Sequence, residues 1–351
     1  MSPAHAPKSI CLVRLSALGD VVMVVPLVRV LQARWPEARI TWVIGKAAHP
    51  VVAGLASEGV EFVVIDKPRR LGDYRALWRT LKGRRFDAVL CLQASWRTNL
   101  IYPGIAAKRK VGYGRDRAKD LHRFFVRETL PDSPPHLVDG FLQFAEALGA
   151  VVPQRADWRL PIDPEADAWC GRMLPNQPFI AVSACASKPE RDWPAERWAE
   201  LLRRVHERWQ LPTVLFGGPS PREVSVAREI AAGLGVAVLD LVGKTRIPEL
   251  VAALSRCRLL VAPDTGAAHI ANAFGRPVVG LYAVAPASRT GPYGNLGFCV
   301  DKFSQAVREL QGLDPASVPW AHRVHDPRAM QLITVDEVFT KFDLILSRGE
   351  T

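Results

Sequence analysis

Residues 10–31 read ICLVRLSALGDVVMVVPLVRVL, and this stretch decides the fold class. Ile10, Leu12, Val13 and Leu15 make an apolar run of the length of a buried strand. Ser16 through Asp20 carry turn chemistry, and the chain from Val21 onward is apolar enough for a helix packed on a sheet. Strand, turn and helix in that order begin an α/β domain. In an open sheet of that kind, ligands bind outside the carboxyl ends of the strands, so Asp20 stands where a carboxylate can enter a cleft. The same acid can instead cap the following helix by accepting a backbone N–H, which is the commoner use.

The pattern continues outward from there. Strands are expected at 40–44, 60–65 and 88–92 and helices at 50–56, 74–82 and 137–148, an alternation that implies parallel strands with crossover helices. Residues 151–178 hold Pro153, Pro161, Pro164, Pro175 and Pro178 with little sustained periodicity, as a linker would. The second half then restarts the pattern. It has strands at 179–183, 213–216, 236–239 and 259–262 and helices at 194–209, 222–232 and 247–254, the first of these with Trp198, Leu201, Leu202, Val205 and Trp209 on its inner face. The reading is α/β, with two doubly wound Rossmann-like domains facing a central cleft. Their bounds are 1–150, a linker at 151–178, and 179–334; a terminal stretch, 335–351, has a helix with no strand to follow, free to pack back on the domain junction.

Composition agrees with this reading. A chain of 351 residues exceeds one typical core, and 48% hydrophobic with 23% charged residues describes a globular protein. The six cysteines show no CxxC spacing and mostly sit in apolar runs, so neither a disulfide framework nor a zinc site is expected. The polar start MSPAHAPK, and an apolar stretch interrupted by Pro26 and Arg29, make neither a signal peptide nor a membrane span, which leads to the expectation of a cytoplasmic chain. The charge is unevenly spread. Residues 67–127 hold 17 basic and 4 acidic residues, a net of +13 against +11 for the whole chain. Such a field attracts nucleic acid, an anionic membrane surface or an anionic substrate, although Arg75, Arg79 and Lys82, at helical spacing, also fit a solvated helix face.

A second cluster, residues 261–282, reads VAPDTGAAHIANAFGRPVVGLY. A strand ends near Pro263, Gly266 opens a helix, and Gly275 ends it. Free N–H groups and the helix dipole at such a start favour an anion, Gly266 permits close approach of a phosphate, and Thr265 offers a hydroxyl. His269 lies one turn in on the same face. The alternative is Asp264 as a cap with His269 as a satisfied core histidine. Upstream, SKPERDWP at 187–194 follows a strand, so Lys188 and Arg191 can face the same cleft and neutralise a leaving diphosphate, or can be surface residues of a loop. Trp193 and Pro194 read as a packing corner and a helix start. Glu223, after Gly217 and Gly218, either binds a ribose hydroxyl or favours a helix start.

Taken together, RLSALGD, RDWP, FGGP with Glu223, DTGAAH, FGRPVVGLY and TGPYG, in that order over nearly the whole chain, resemble the lipopolysaccharide heptosyltransferases of glycosyltransferase family 9. The resemblance implies the GT-B architecture and an inverting, metal-independent transfer of heptose from ADP-L-glycero-D-manno-heptose, with no cofactor. It implies Asp20 as general base towards the acceptor hydroxyl. It places Lys188, Arg191, Glu223, Asp264, Thr265, Gly266 and His269 at the donor, with Arg191 where the family usually has lysine. It places His136 near the acceptor, an anionic lipopolysaccharide inner-core sugar of the Kdo-lipid A type; Ser16 and Gly19 of the opening motif join it on that side, and the basic segment offers Arg69, Arg70, Arg115 and Arg117 as candidates for the acceptor's carboxylates or phosphates. Ala283 departs from the glycine common in the family after the LY pair. The implied workplace is the cytoplasmic face of the inner membrane, with peripheral attachment and no nucleic-acid partner. Two rivals are a transferase or epimerase using another nucleotide sugar such as a UDP-sugar, and a basic nucleic-acid-binding protein. The second lacks a recognisable module and a spaced aromatic platform.

Overall fold

The computed structural model describes residues 6–132 and 134–347, which form two compact units, Met1–Pro161 and Ile162–Thr351. The first unit is a parallel sheet of β1 (Ser9–Val13), β2 (Arg39–Gly45), β3 (Val60–Ile65), β4 (Phe86–Leu90), β5 (Ala107–Gly112) and β6 (Glu128–Thr129), in the order β3-β2-β1-β4-β5-β6. Leu12 of central β1 sits opposite Trp42 on one side and Leu90 on the other, all fully buried. Parallel strands need crossovers, and α1 (Leu18–Arg34), α2 (Leu71–Thr80), α3 (Trp96–Asn99) and α4 (Leu137–Ala147) serve this sheet. Helix α1 is buried almost all round, as its unbroken apolar sequence requires. The helix expected at 50–56 is instead two 3-10 turns, His49–Val51 and Ala53–Glu58. Pro50 opens the first turn, and a Cβ on Gly54 would lie 2.6 Å from the Pro161 ring, so close backbone approach sets this segment rather than helix propensity.

The expected linker is divided. Its first part is strapped to the first unit by Trp158, whose indole donates to Val22 O at 3.2 Å, and by buried Arg29, which donates to the carbonyls of Trp158 and Arg159 and pairs with Glu58. Its remainder includes α5 (Pro164–Met173), which packs on α8 (Ile247–Arg256), with Asp167 paired to Arg256 at 2.5 Å.

The second unit repeats the topology with β7 (Ile180–Val182), β8 (Thr213–Leu215), β9 (Leu239–Asp240), β10 (Leu259–Pro263), β11 (Val278–Tyr282) and β12 (Val300–Asp301), ordered β12-β11-β10-β7-β8-β9. Read from its own first strand, this is the same order as in the first unit, reversing between the two central strands β7 and β10. Its other helices are α6 (Ala195–Trp209), α7 (Pro221–Leu234), α9 (Gly266–Ala273), α10 (Ala287–Thr290), α11 (Phe303–Gln311) and α12 (Val335–Leu346). Trp198, Leu201, Leu202 and Val205 of α6 are fully buried, as the periodicity of 194–209 requires. Trp193 donates its indole N–H to Ile333 O at 3.0 Å, which makes the expected packing corner. The terminal helix α12 lies against α6 within the second unit, with Arg204 bonded to Asp336 at 2.7 Å and over the Phe339 ring at 4.4 Å. The six thiols are unpaired, and among the described residues no helix is long and apolar enough to cross a membrane.

Candidate active site

Asp20 follows central β1 in the first unit, and Lys188, Arg191, Asp264, Thr265, Gly266 and His269 follow central β7 and β10 in the second, where an open α/β sheet leaves a crevice. On the first unit's rim, Asp20 is the third residue of α1, behind the cap position Ala17, and it accepts a backbone N–H there as the capping alternative expects. Its Oδ2 accepts the Ala17 N–H at 2.9 Å and pairs with Arg14. Both bonds fall on Oδ2, leaving Oδ1 of a side chain 25% exposed without a partner among the described residues. Arg14 also donates to Leu92 O at 2.7 Å beyond β4, and Leu15 N–H donates to Gln93 Oε1 at 2.9 Å, so the loops after β1 and β4 are tied together beside the acid. Ser16 is half-buried and Gly19 buried in the same loop. Arg14, adjacent to the acid in space and six residues away in sequence, carries no signal of its own because it looks like a charge at a strand end.

On the second unit's rim, the structure brings Arg191 and Asp264 together at 3.0 Å, each about 15% exposed. Buried Tyr282 lies under the pair; burial pushes its phenol well above the usual range, and the charge of Asp264 adds to that. Thr265 is the residue before α9, yet its hydroxyl caps nothing and is buried with no partner among the described residues. The first turn of α9 contains no acid. His269 is buried one turn further on. Lys188 is exposed on its loop, whose shape is held by Asp192. That carboxylate accepts Ala186 N–H at 2.8 Å and pairs with Arg222, which in turn donates to Ala186 O at 2.5 Å. Arg222, a bare cation in a helix start, gave no sequence signal for this clasp. Glu223, third in α7, braces its own loop, accepting from Gly218 N at 2.5 Å and from the Ser220 hydroxyl at 2.9 Å.

The expected acceptor set separates into two groups. Arg69, Arg70 and Arg115 are exposed. Arg117 is not available to an anion from solvent: it is 5% exposed, wedged against Gly140, and donates to the carbonyls of Pro134 and Pro135. The cause is local, since a proline-rich bend leaves carbonyls that need a donor. His136 is likewise a buried helix cap, its Nδ1 accepting Val138 N–H at 3.1 Å. Part of the basic segment is also neutralised internally. Lys108 pairs with Asp87, Arg109 with Glu128, and Lys110 donates to Tyr102 O, all on or beside strand β5, whose run of cations hid it from periodicity.

Comparison with known proteins fits this geometry. The family model for glycosyltransferase family 9 (heptosyltransferase) matches residues 74–315. The lipopolysaccharide core heptosyltransferase OpsX of Haemophilus influenzae is 32% identical over 336 residues, covering 95% of this chain and 96% of that protein. Among solved structures, the glycosyl transferase family 9 protein of Veillonella parvula superposes with a TM-score of 0.78 at 23% identity, covering 97% of each chain. The Escherichia coli ADP-heptose lps heptosyltransferase II gives 0.74 at 21% identity, covering 98% of this chain and all of that one. These likenesses in structure show the two-unit GT-B fold, and the sequence matches show more. The chain is a glycosyltransferase and belongs to glycosyltransferase family 9, the heptosyltransferases.

Proposed function

We propose that this enzyme moves heptose from ADP-L-glycero-D-manno-heptose to an inner-core sugar of lipopolysaccharide, with inversion and without a metal, at the cytoplasmic face of the inner membrane. The observation that carries the donor assignment is the start of α9, with no acid in its first turn, an uncapping Thr265 hydroxyl, and the Arg191–Asp264 pair beside it. A helix start of that kind favours the β-phosphate of departing ADP, and cations near it offset the charge that builds as the bond to the sugar breaks. In the reaction, an acceptor hydroxyl loses its proton to Asp20 Oδ1 as its oxygen bonds to the anomeric carbon. The bond from that carbon to the diphosphate oxygen breaks, and its electron pair leaves with ADP. Arg14 and the Ala17 N–H hold the other carboxylate oxygen and so aim the base. Exposed Arg69, Arg70 and Arg115 suit the carboxylates or phosphates of an anionic acceptor.

The test is transfer from ADP-heptose to isolated inner-core acceptors by the native protein and by Asp20→Asn at matched stability. Loss of turnover with ADP protection retained supports the base. Equal activity returns Asp20 to a helix-start residue. Protection against unfolding by UDP in preference to ADP would overturn the donor assignment.

A further inference from the structure

The first unit exposes large apolar side chains within its most basic stretch. Trp96 is 53%, Leu121 57% and Phe124 67% exposed, and Leu71 reaches 71%. These belong to segments that leave the carboxyl ends of β3, β4 and β5, the same rim as Asp20. Three of them are contiguous. The Asp120 carboxylate accepts Trp96 N–H at 2.8 Å, and Asn99 donates to Asp120 O at 2.7 Å, which locks the start of α3 to the turn carrying Leu121 and Phe124. Leu71 begins the helix whose Tyr74 feels the charge of Arg97.

Two features of this turn are unfavourable in water. Leu121 has φ of +62°, a left-handed conformation that branched side chains adopt at a cost, and it directs an apolar side chain into solvent. Phe124 is exposed beneath the Arg123 guanidinium, 4.8 Å from its ring centroid. The charges nearby are unspent. Arg97, Lys119 and Arg123 are exposed with no ion pair among the described residues, while the carboxylate of Asp120 is taken up by a backbone N–H. Aromatic and aliphatic side chains ringed by free cations match a bilayer interface with anionic headgroups, where the rings sit at headgroup depth and the cations meet phosphates. A nucleic acid would use the cations but would leave Leu71 and Leu121 in water.

We propose that this rim, with Trp96, Leu121 and Phe124 as its apolar anchors, is the surface by which the first unit docks on an anionic lipid bilayer. It deepens the reading of a lipid-linked acceptor, on which it rests only for why such an enzyme would need a membrane. Docking here brings the rim that holds Asp20 to the lipid surface.

The experiment is flotation of the full chain with vesicles of phosphatidylcholine alone and of phosphatidylcholine with phosphatidylglycerol. The native protein should float with the mixed vesicles, less so as salt is raised. The Trp96→Ser/Phe124→Ser variant should bind them at least about tenfold more weakly, the effect of withdrawing two partly buried rings. The conservative pair Trp96→Phe/Phe124→Trp should bind as the native protein does, which separates anchoring from misfolding. Failure of the native protein to float, or equal flotation of the serine variant, overturns the proposal. So does displacement from the vesicles by an oligonucleotide with unchanged binding of that oligonucleotide to the serine variant. Flotation needs no sugar donor, so its result and that of the transfer assay fail independently.

Discussion

Both units place a helix start where their shared strand order reverses, α1 after central strand β1 in the first and α9 after central strand β10 in the second, and the two starts differ in chemistry. At α1 the chain supplies its own anion: Asp20, third in the helix, reaches back to the Ala17 N–H. At α9 the first turn has no acid, and the hydroxyl that would normally cap it is turned away. One start is already satisfied by a carboxylate that retains an unused oxygen, and no side chain caps the other. On the proposed reading, the same fold offers a base in one unit and a phosphate cradle in the other. The distinction rests on a few side chains and not on topology.

The largest effect that would sharpen this contrast is on Asp20. Asp20→Asn should lower kcat by about 10²–10⁴-fold while ADP still raises the melting temperature as in the native protein. A loss of ADP protection in that variant would break the division of labour between the units.

Acid should act on the units differently. His122 is buried, its Nε2 accepts Tyr113 N–H at 3.2 Å, and its Nδ1 therefore donates to Asn99 Oδ1 at 2.8 Å. Burial lowers its pKa to about 4 from 6.5. A base whose folded pKa is depressed contributes stability above the unfolded value that is lost as pH falls through the folded one. The first unit should thus lose up to about 3 kcal/mol between pH 6.5 and 4. In the second unit burial raises Asp301, which works in the opposite sense and favours the folded unit as its carboxylate is protonated. Hydrogen exchange followed by segment should show the first unit opening earlier on acidification, and His122→Gln should flatten that dependence.

Smaller effects belong to the cradle. Arg191→Met should weaken ADP binding about thirtyfold, close to 2 kcal/mol for a lost charged contact, without changing the acceptor KM. Thr265→Val should cost about tenfold in ADP affinity yet leave the protein as stable or more so, since it removes a buried hydroxyl with no partner. Calorimetric titration with ADP measures both. Among exposed cations, Arg69→Gln/Arg70→Gln should raise the acceptor KM a few-fold, by loss of partly screened charge, and leave the donor KM alone. Equal changes in both would remove these arginines from the acceptor side.

Much of this contrast was legible in the chain. The DTGAAH stretch announced a strand end with a helix opening at Gly266 behind it, and LSALGD announced an acid beside another. The limits of legibility were also local. Strand β5 was hidden by three consecutive cations whose charges are met by Asp87, Glu128 and a carbonyl. Arg117 looked like a cation for an anionic ligand because a sequence does not reveal that the carbonyls of Pro134 and Pro135 claim it. The segment at 151–178 looked like a linker because prolines mask how tightly Trp158 is held.

The sequence by itself determined the α/β class, the two doubly wound halves and the family, because apolar periodicity and turn residues act over a few neighbours and their order along the chain is preserved in the fold. Only the tertiary structure decided which charges are available for chemistry. Arg14 meets Asp20, Arg191 meets Asp264, and Arg222 clasps Asp192 across 30 residues. Hydrogen bonds of that kind are short-ranged in space and indifferent to distance along the chain, so they exist only once the sheet has brought the loops at its carboxyl edge together.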